Sequence, residues 1–297
     1  MSQQNVKLGI APINWSNDDI HELGADISLD RCLSEMQEAG YAGTELGHKY
    51  PTEVSALKPL LTKYELTLAS KWHSTFFVEN NDLEAELSGI KESLEFLSAM
   101  GTNVINIAEC SGSVHSERNM PLSNKPVFDD REWDRLITGL KKTGELCDTY
   151  GIFPAYHHHM GTGVQTEEEI DRLMSSTADD KVYLCADSGH MLFSGFAPLP
   201  VFERYMDRIR HIHLKDIREN VMTKMLDEDA SFLDSVIEGV FTVPGDGMID
   251  FNPIFDVIMG SNYNGWMIVE AEGDPAKTNP LKYAEIAKRY INELVNV

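Results

Sequence analysis

A (β/α)8 barrel is the fold class this sequence predicts, and three observations predict it. Eight short apolar runs recur along the chain, amphipathic segments with helix-capping signals separate them, and polar residues gather at the C-terminal ends of the runs. The runs are KLGIAP (7–12), YAGTEL (41–46), ELTLAS (65–70), NVINIA (103–108), GIFPAY (151–156), KVYLCA (181–186), IRHIHL (209–214) and WMIVEA (266–271). Between the first two lies SLDRCLSEMQEAG, which opens on Ser28 as an N-cap and closes at Gly40. DLEAELSGIKESLEFLSAMG is a second helical segment, between the third and fourth runs. A doubly wound open sheet is the structural rival, but no G-x-G-x-x-G follows the first run. Without a linker rich in Pro, Gly or Ser, residues 1–297 read as one domain. Two long connections, 109–128 after the fourth strand and 215–265 after the seventh, would rise from the C-terminal face, where catalytic loops collect.

Composition narrows the class of function. The chain has 297 residues, 42% of them hydrophobic, enough for a sizeable core. Its formal net charge is -23, a surface that repels nucleic acid and anionic membranes and favours a neutral or cationic small molecule. The four cysteines, Cys32, Cys110, Cys147 and Cys185, form no CxxC pair and read as reduced, buried thiols. The start MSQQNVKLGI has no secretory pattern and no stretch approaches a membrane span, so a soluble cytoplasmic protein is expected.

Three consecutive histidines in AYHHHMGTG (155–163) lie too deep in the chain for an expression tag and follow an apolar run directly. They belong to a wider set of polar residues at the strand ends. Glu45 and His48 follow the second run, Lys71 and His73 the third, and Glu109 the fourth. Asp187 and His190 follow the sixth, His211, His213 and Asp216 lie in or after the seventh, and Glu270 and Glu272 end the eighth. A lone strand-end carboxylate usually caps a helix or pairs with a lysine; seven strands in a row each offering a polar residue point to a site. Alternation along a strand puts His157 and His159 on one face and His158 on the other, and puts His211, His213 and Lys215 together. Asp187, His213 and Glu270 then converge as oxygen and nitrogen ligands, with His157 as a fourth and His159 the alternative on the same strand face. That mixed donor set suits Mn, Co, Fe or Zn better than Ca. His190, three residues past Asp187, would support the ligands or touch substrate.

Longer strings carry a family resemblance. LGIAPINWSNDD, EAGYAGTELG, YHHHMGTGVQT, ADSGH, RHIHLKDIR and GDGMIDF resemble the inosose dehydratases of inositol catabolism, within the xylose-isomerase-like barrels, and the likeness spans nearly the whole chain. In the related sugar epimerases the ligands are Glu, Asp, His and Glu on strands five to eight. The last three map onto Asp187, His213 and Glu270, while His157 stands where the fifth-strand glutamate would be, which counts against an epimerase working between two glutamates. The resemblance implies Mn or Co, glutathione as a reported cofactor, a cyclic polyol ketone as substrate and a homo-oligomer.

The implied reaction removes the proton beside a ketone and expels a hydroxyl from the next carbon. Lys71 would hold the enolate oxygen, and Glu45, Glu109, His73 and His190 are the candidates for base and acid. Lys71 and Glu109 end adjacent strands about 4.8 Å apart, so they would reach one substrate or, alternatively, form a plain salt bridge. A ketose isomerase or epimerase is the rival activity. The negative charge opposes an endonuclease, and the intact set of strand-end ligands opposes a non-catalytic binding protein.

Overall fold

The computed structural model describes residues 6–179 and 181–295. Strands coincide with all eight predicted runs. They are β1 (Lys7–Ile10), β2 (Gly43–Thr44), β3 (Thr67–Leu68), β5 (Val104–Glu109), β6 (Phe153–His157), β7 (Tyr183–Asp187), β8 (Ile209–Leu214) and β11 (Trp266–Val269). A further strand, β4 (Trp72–Thr75), follows β3 directly. The parallel order is β3-β2-β1-β11-β8-β7-β6-β5-β4, so the two edges of the sheet are consecutive in the chain. Ala69 donates to Thr44 O at 2.8 Å and Lys71 O accepts from Asn106 N at 3.0 Å, so three residues carry the third barrel strand from one partner to the other and close the cylinder.

Helices between the strands begin where the capping residues say they should. Ser28 caps Leu29–Glu38 by accepting from Arg31 N, and Asp82 caps Leu83–Met100 by accepting from Ala85 N. Helix Asp130–Asp148 starts with a complete capping box between Asp129 and Glu132. A continuous apolar cluster between strands and helices includes residues from Leu8 to Ile291. Inside the barrel, Ala11, Ala69, Trp266 and Ile268 form one small layer and Val104, Ala155 and Cys185 another. Gly43 makes room for the bulk of that interior, since a Cβ there would stand 2.5 Å from the Trp266 ring.

The connection 215–265 is mostly ordered structure rather than loop. It contains the antiparallel pair β9 (Asp216–Ile217) and β10 (Phe241–Thr242), and helices Glu219–Asp227, Phe232–Glu238 and Asn252–Gly260. Buried Asp216 organises it, with Oδ1 accepting from Ile217 N and Ile249 N and Oδ2 from Gly247 N. Connection 109–128 leans on it through the Pro121–Ser231 bridge. Among the described residues no helix is long and apolar enough to cross a membrane.

Candidate active site

Alternation along each strand decides which side chains enter the barrel. His157 on β6, Asp187 on β7, His213 on β8 and Glu270 just past β11 all point inward at the C-terminal mouth and are almost completely buried. Two residues further along the same faces come His159, Lys215 and Glu272. With Glu45, Asn106, Trp72 and His190 they line a cavity of about 220 Å³. A larger hollow of about 560 Å³ opens at the other end of the barrel around Lys7, Asn103, Arg210 and Tyr263. Size is a poor guide here, because the smaller cavity holds the convergent carboxylates and imidazoles.

One donor atom from each of His157, Asp187, His213 and Glu270 lies within 4.8 Å of all the others. His157 Nε2 is 2.9 Å from His213 Nδ1 and 3.6 Å from Asp187 Oδ2. His213 Nδ1 is 3.4 Å from Asp187 Oδ2 and 2.9 Å from Glu270 Oε2. Donors around a four-coordinate cation bound at about 2.0–2.2 Å stand roughly 3.3 Å apart, so the cluster has the size of such a site. Asp187 Oδ2 and Glu270 Oε2 are buried and accept no hydrogen bond. A carboxylate oxygen in that position is costly unless a positive centre faces it. Lys215 and His213 face these oxygens without hydrogen-bonding them, and two nitrogen and two oxygen donors at this spacing fit a divalent cation.

Glu45 lies beneath this cluster. Its Oε1 faces His211 Nε2 at 2.8 Å and His213 Nε2 at 3.2 Å, and accepts from Asn106 Nδ2 at 2.9 Å and from Ser70 Oγ. Burial alone would raise this carboxyl, but His213 and His211 hold it well below the usual carboxylate range. Although burial opposes it, Glu45, Glu270 and Asp187 help raise His213 well above the ordinary imidazole value; an ionised Glu45 on Nε2 leaves Nδ1 as the atom that would give up its proton to a cation. Lys215 sits on the other side, with Nζ 2.6 Å from Glu272 Oε1, 3.3 Å from Glu270 Oε2, 3.6 Å from Asp187 Oδ2 and 3.1 Å from His190 Nε2. Burial would discharge it, but Asp187, Glu270 and Glu272 raise its pKa above the ordinary lysine value. Burial pushes Glu272 up to about 7 despite Lys215. His190 and His159 are lowered well below the ordinary imidazole value, chiefly by burial, and are neutral.

The structure brings Glu45, His157, Asp187, His190, His213 and Glu270 together, and does not bring Lys71, His73 or Glu109 with them. Lys71 Nζ donates to Ser93 Oγ at 3.0 Å and lies over Phe96, and His73 Nδ1 meets the same Ser93 Oγ at 2.9 Å. Both therefore face helix Leu83–Met100. The cause is β4: these residues lie along a strand rather than past its end, and alternation turns Trp72 and Ser74 inward instead. Glu109 shares its parity with Ile105 and Ile107 and ties down the following turn. Its Oε2 accepts from Thr75 Oγ and Phe77 N, and its Oε1 from Val78 N, Ser111 N and Ser111 Oγ. No Lys71–Glu109 salt bridge is present among the described residues. Lys215 and Glu272, which the sequence places at the strand ends without a role, join the site, as the period-2 signal from His213 to Lys215 and from Glu270 to Glu272 allows.

Comparison with known proteins decides the family. Residues 33–294 match the model of the xylose isomerase-like TIM barrels. Over 98% of both chains the protein is 48% identical to an inosose dehydratase of Geobacillus thermodenitrificans and 49% identical to one of Lacticaseibacillus casei. This chain belongs to the inosose dehydratase family. Solved structures share its fold at much lower identity. A probable 3-DHS dehydratase from Bacillus anthracis superposes with a TM-score of 0.71 at 14% identity, covering 98% of this chain and 99% of that one. The IOLI protein with a bound zinc atom gives 0.70 at 15%, covering 98% and 100%. The inosose dehydratase likeness thus runs through the strand ends that build the cavity, from Glu45 to Glu272.

Proposed function

We propose that this enzyme removes water from 2-keto-myo-inositol, giving 3D-3,5/4-trihydroxycyclohexane-1,2-dione, a step of inositol catabolism. What carries this is the coincidence of 48% identity to an inosose dehydratase over 98% of the chain with two carboxylate oxygens free of hydrogen bonds in a buried His/Asp/Glu cluster. In this proposal His157, Asp187, His213 and Glu270 hold one Mn or Co ion and Glu45 orients His213. The ion would gather the negative charge that develops on the ketone oxygen as the neighbouring carbon loses its proton.

The protein's own groups move the protons. Glu272 takes the proton from the carbon beside the ketone, and the freed electron pair forms a C=C bond to the next carbon. The hydroxyl on that carbon leaves with a proton from Lys215, so water departs and an enol remains, which ketonises to the dione. The 2.6 Å contact then returns the proton from Glu272 to Lys215 and resets both. Neutral His190, against Lys215, holds the ammonium toward the leaving group. Glutathione enters only through the family resemblance, and this chemistry uses no thiol. We further propose that residues 1–297 form a single barrel domain that works as a cytoplasmic homo-oligomer. Exposed Val127, Met120 and Met248 on the connections support the assembly; light scattering that gives the mass of one chain would overturn it.

The test is incubation of metal-loaded protein with 2-keto-myo-inositol. Loss of water should appear as a new dione absorbance, disappear on chelation and return with Mn or Co. An epimerised ketone without dione would replace dehydration with the epimerase reading.

A further inference from the structure

The four donor strands β6, β7, β8 and β11 are contiguous in the barrel, and β5 and β1 flank them. The loop after each flanking strand brings polar side chains to the cavity: Asp18 and Asp19 from the loop after β1 and His115 from the loop after β5. Both loops are built to hold these residues. Asn17, itself buried, accepts from Asp19 N at 2.9 Å and from Ile20 N at 2.7 Å, which fixes the turn. On the other loop Val114 N donates to Gly161 O at 2.8 Å, and a Cβ on Gly161, whose φ is +78°, would stand 2.9 Å from His115 N. The turn after the histidine run therefore supports His115 directly, and the His115 ring packs edge-on against His159 at 5.2 Å.

Neither side chain is used up by the fold. His115 Nδ1 is buried without a hydrogen-bond partner. The neighbouring Asp18 also lines the cavity but is tied to His48 through Oδ1 at 2.6 Å, whereas Asp19 has no such partner among the described residues. Asp19 and His115 line the same cavity from opposite flanks of the donor strands.

We infer that Asp19 and His115 form a polar clamp that binds ring hydroxyls of the substrate and makes the enzyme select a fully hydroxylated ring. The inference rests on the cyclic polyol ketone proposed above. It adds the groups that read the part of the ring that does not react. A six-membered ring with a hydroxyl on nearly every carbon presents polar groups around its whole rim. The donor cluster with Lys215 and Glu272 accounts for the reacting edge, and the two flanking loops face the remainder. Such contacts are alike in the ground and transition states, so they act on binding more than on the chemical step.

The experiment uses the metal-loaded full chain and the variants Asp19→Ala and His115→Ala, each checked for metal content and melting temperature. On 2-keto-myo-inositol, KM should rise roughly ten- to hundredfold in each variant while kcat stays within about threefold. A deoxy analogue lacking one hydroxyl remote from the ketone should bind the parent weakly and lose little more in the variant whose partner it lacks, as a double-mutant cycle requires. Unchanged KM in both variants, or equal losses for every deoxy analogue, would overturn the clamp. Calorimetric Kd values for unreactive myo-inositol keep the two proposals separable. Parent protein that binds myo-inositol but does not dehydrate the ketone would sink the reaction and spare the clamp, provided both variants weaken that Kd. Equal Kd values in parent and variants would sink the clamp.

Discussion

The barrel mouth has two unlike halves. On the side of β6, β7, β8 and β11, each strand ends in a buried polar residue that points inward, and two carboxylate oxygens there, on Asp187 and Glu270, face Lys215 and His213 without accepting a hydrogen bond. On the side of β4 and β5, the polar residues Lys71, His73 and Glu109 turn outward, and each finds its partner in the helix layer or the next turn. Asp187 and Glu109 make the contrast sharp. Both are fully buried carboxylates one strand end from the mouth. Glu109 accepts from five donors, while Asp187 uses Oδ1 to cap helix Ser188–Phe193 through His190 N and turns Oδ2, which accepts no hydrogen bond, toward His157, His213 and Lys215. What separates a residue that supports chemistry from one that supports the fold is thus parity along the strand, and whether its lone pairs are already satisfied.

Removing the charge on Asp187 Oδ2 should have the largest effect. In Asp187→Asn the helix-cap acceptor remains and the charge toward the cluster is lost. Metal should fall to background, and turnover should fall beyond the roughly 10²- to 10⁴-fold typical of a lost proton-transfer group. Asp187→Ala should lose metal equally and also about 1 kcal/mol of stability, because the cap goes too. Elemental analysis and thermal melts on both variants check this. Full metal occupancy in either would dissolve the distinction between the two halves at its strongest point.

The fold was legible because it rests on repetition. Eight apolar runs with capped helices between them leave few topologies, and Ser28 and Asp82 cap the helices their patterns mark. The ligand side was legible for a related reason. His157, Asp187, His213 and Glu270 lie at or just past the ends of strands of four to six residues, and the one register shift among the described residues, between β7 and β8, falls before His211, so alternation holds from there to the mouth. The third barrel strand broke the rule. β3 is only two residues long, the chain changes partner across Ala69–Lys71, and β4 continues beyond the point where the apolar run stops. Because β4 is polar on both faces, hydropathy carries no trace of it, and an expected strand end became a strand middle. One residue of parity then exchanged Lys71 and His73 for Trp72 and Ser74. Lys215 and Glu272 were visible at the strand ends but carried no role, since they lie past the strands and only their parity ties them to the ligands.

Lys215 is the next test of the comparison, with a smaller effect. In the proposed mechanism it is the buried cation of the mouth and gives its proton to the departing hydroxyl, whereas the sequence predicts Lys71 to hold the enolate oxygen. Lys215→Met should keep metal near normal, because the four donors remain, while kcat falls by roughly 10²- to 10⁴-fold. Glu272→Gln should fall within the same range. A double variant no worse than either single change would show that the two act as one unit. Turnover at the parent level in Lys215→Met would remove the ammonium from the proposed proton path.

The smallest effect on turnover is expected on the other half. Lys71→Met loses a hydrogen bond to Ser93 from a half-buried ammonium whose pKa burial already lowers, so stability should change by less than about 1 kcal/mol. Glu109→Gln is different, because its carboxylate faces only donors. Turning one oxygen into an NH2 group sets N–H against N–H or O–H, and each donor left without its acceptor costs about 1–3 kcal/mol. Glu109→Gln should therefore melt at a clearly lower temperature while Lys71→Met does not. Both should keep metal content and turn over 2-keto-myo-inositol within about threefold of the parent per folded molecule, since neither side chain enters the cavity. Kinetics normalised to folded fraction and metal content separate stability from chemistry. A fall of a hundredfold or more in Lys71→Met, with normal metal and an unchanged melt, would mean that Lys71 swings into the mouth when substrate binds, and that parity in the unliganded barrel does not divide the two halves.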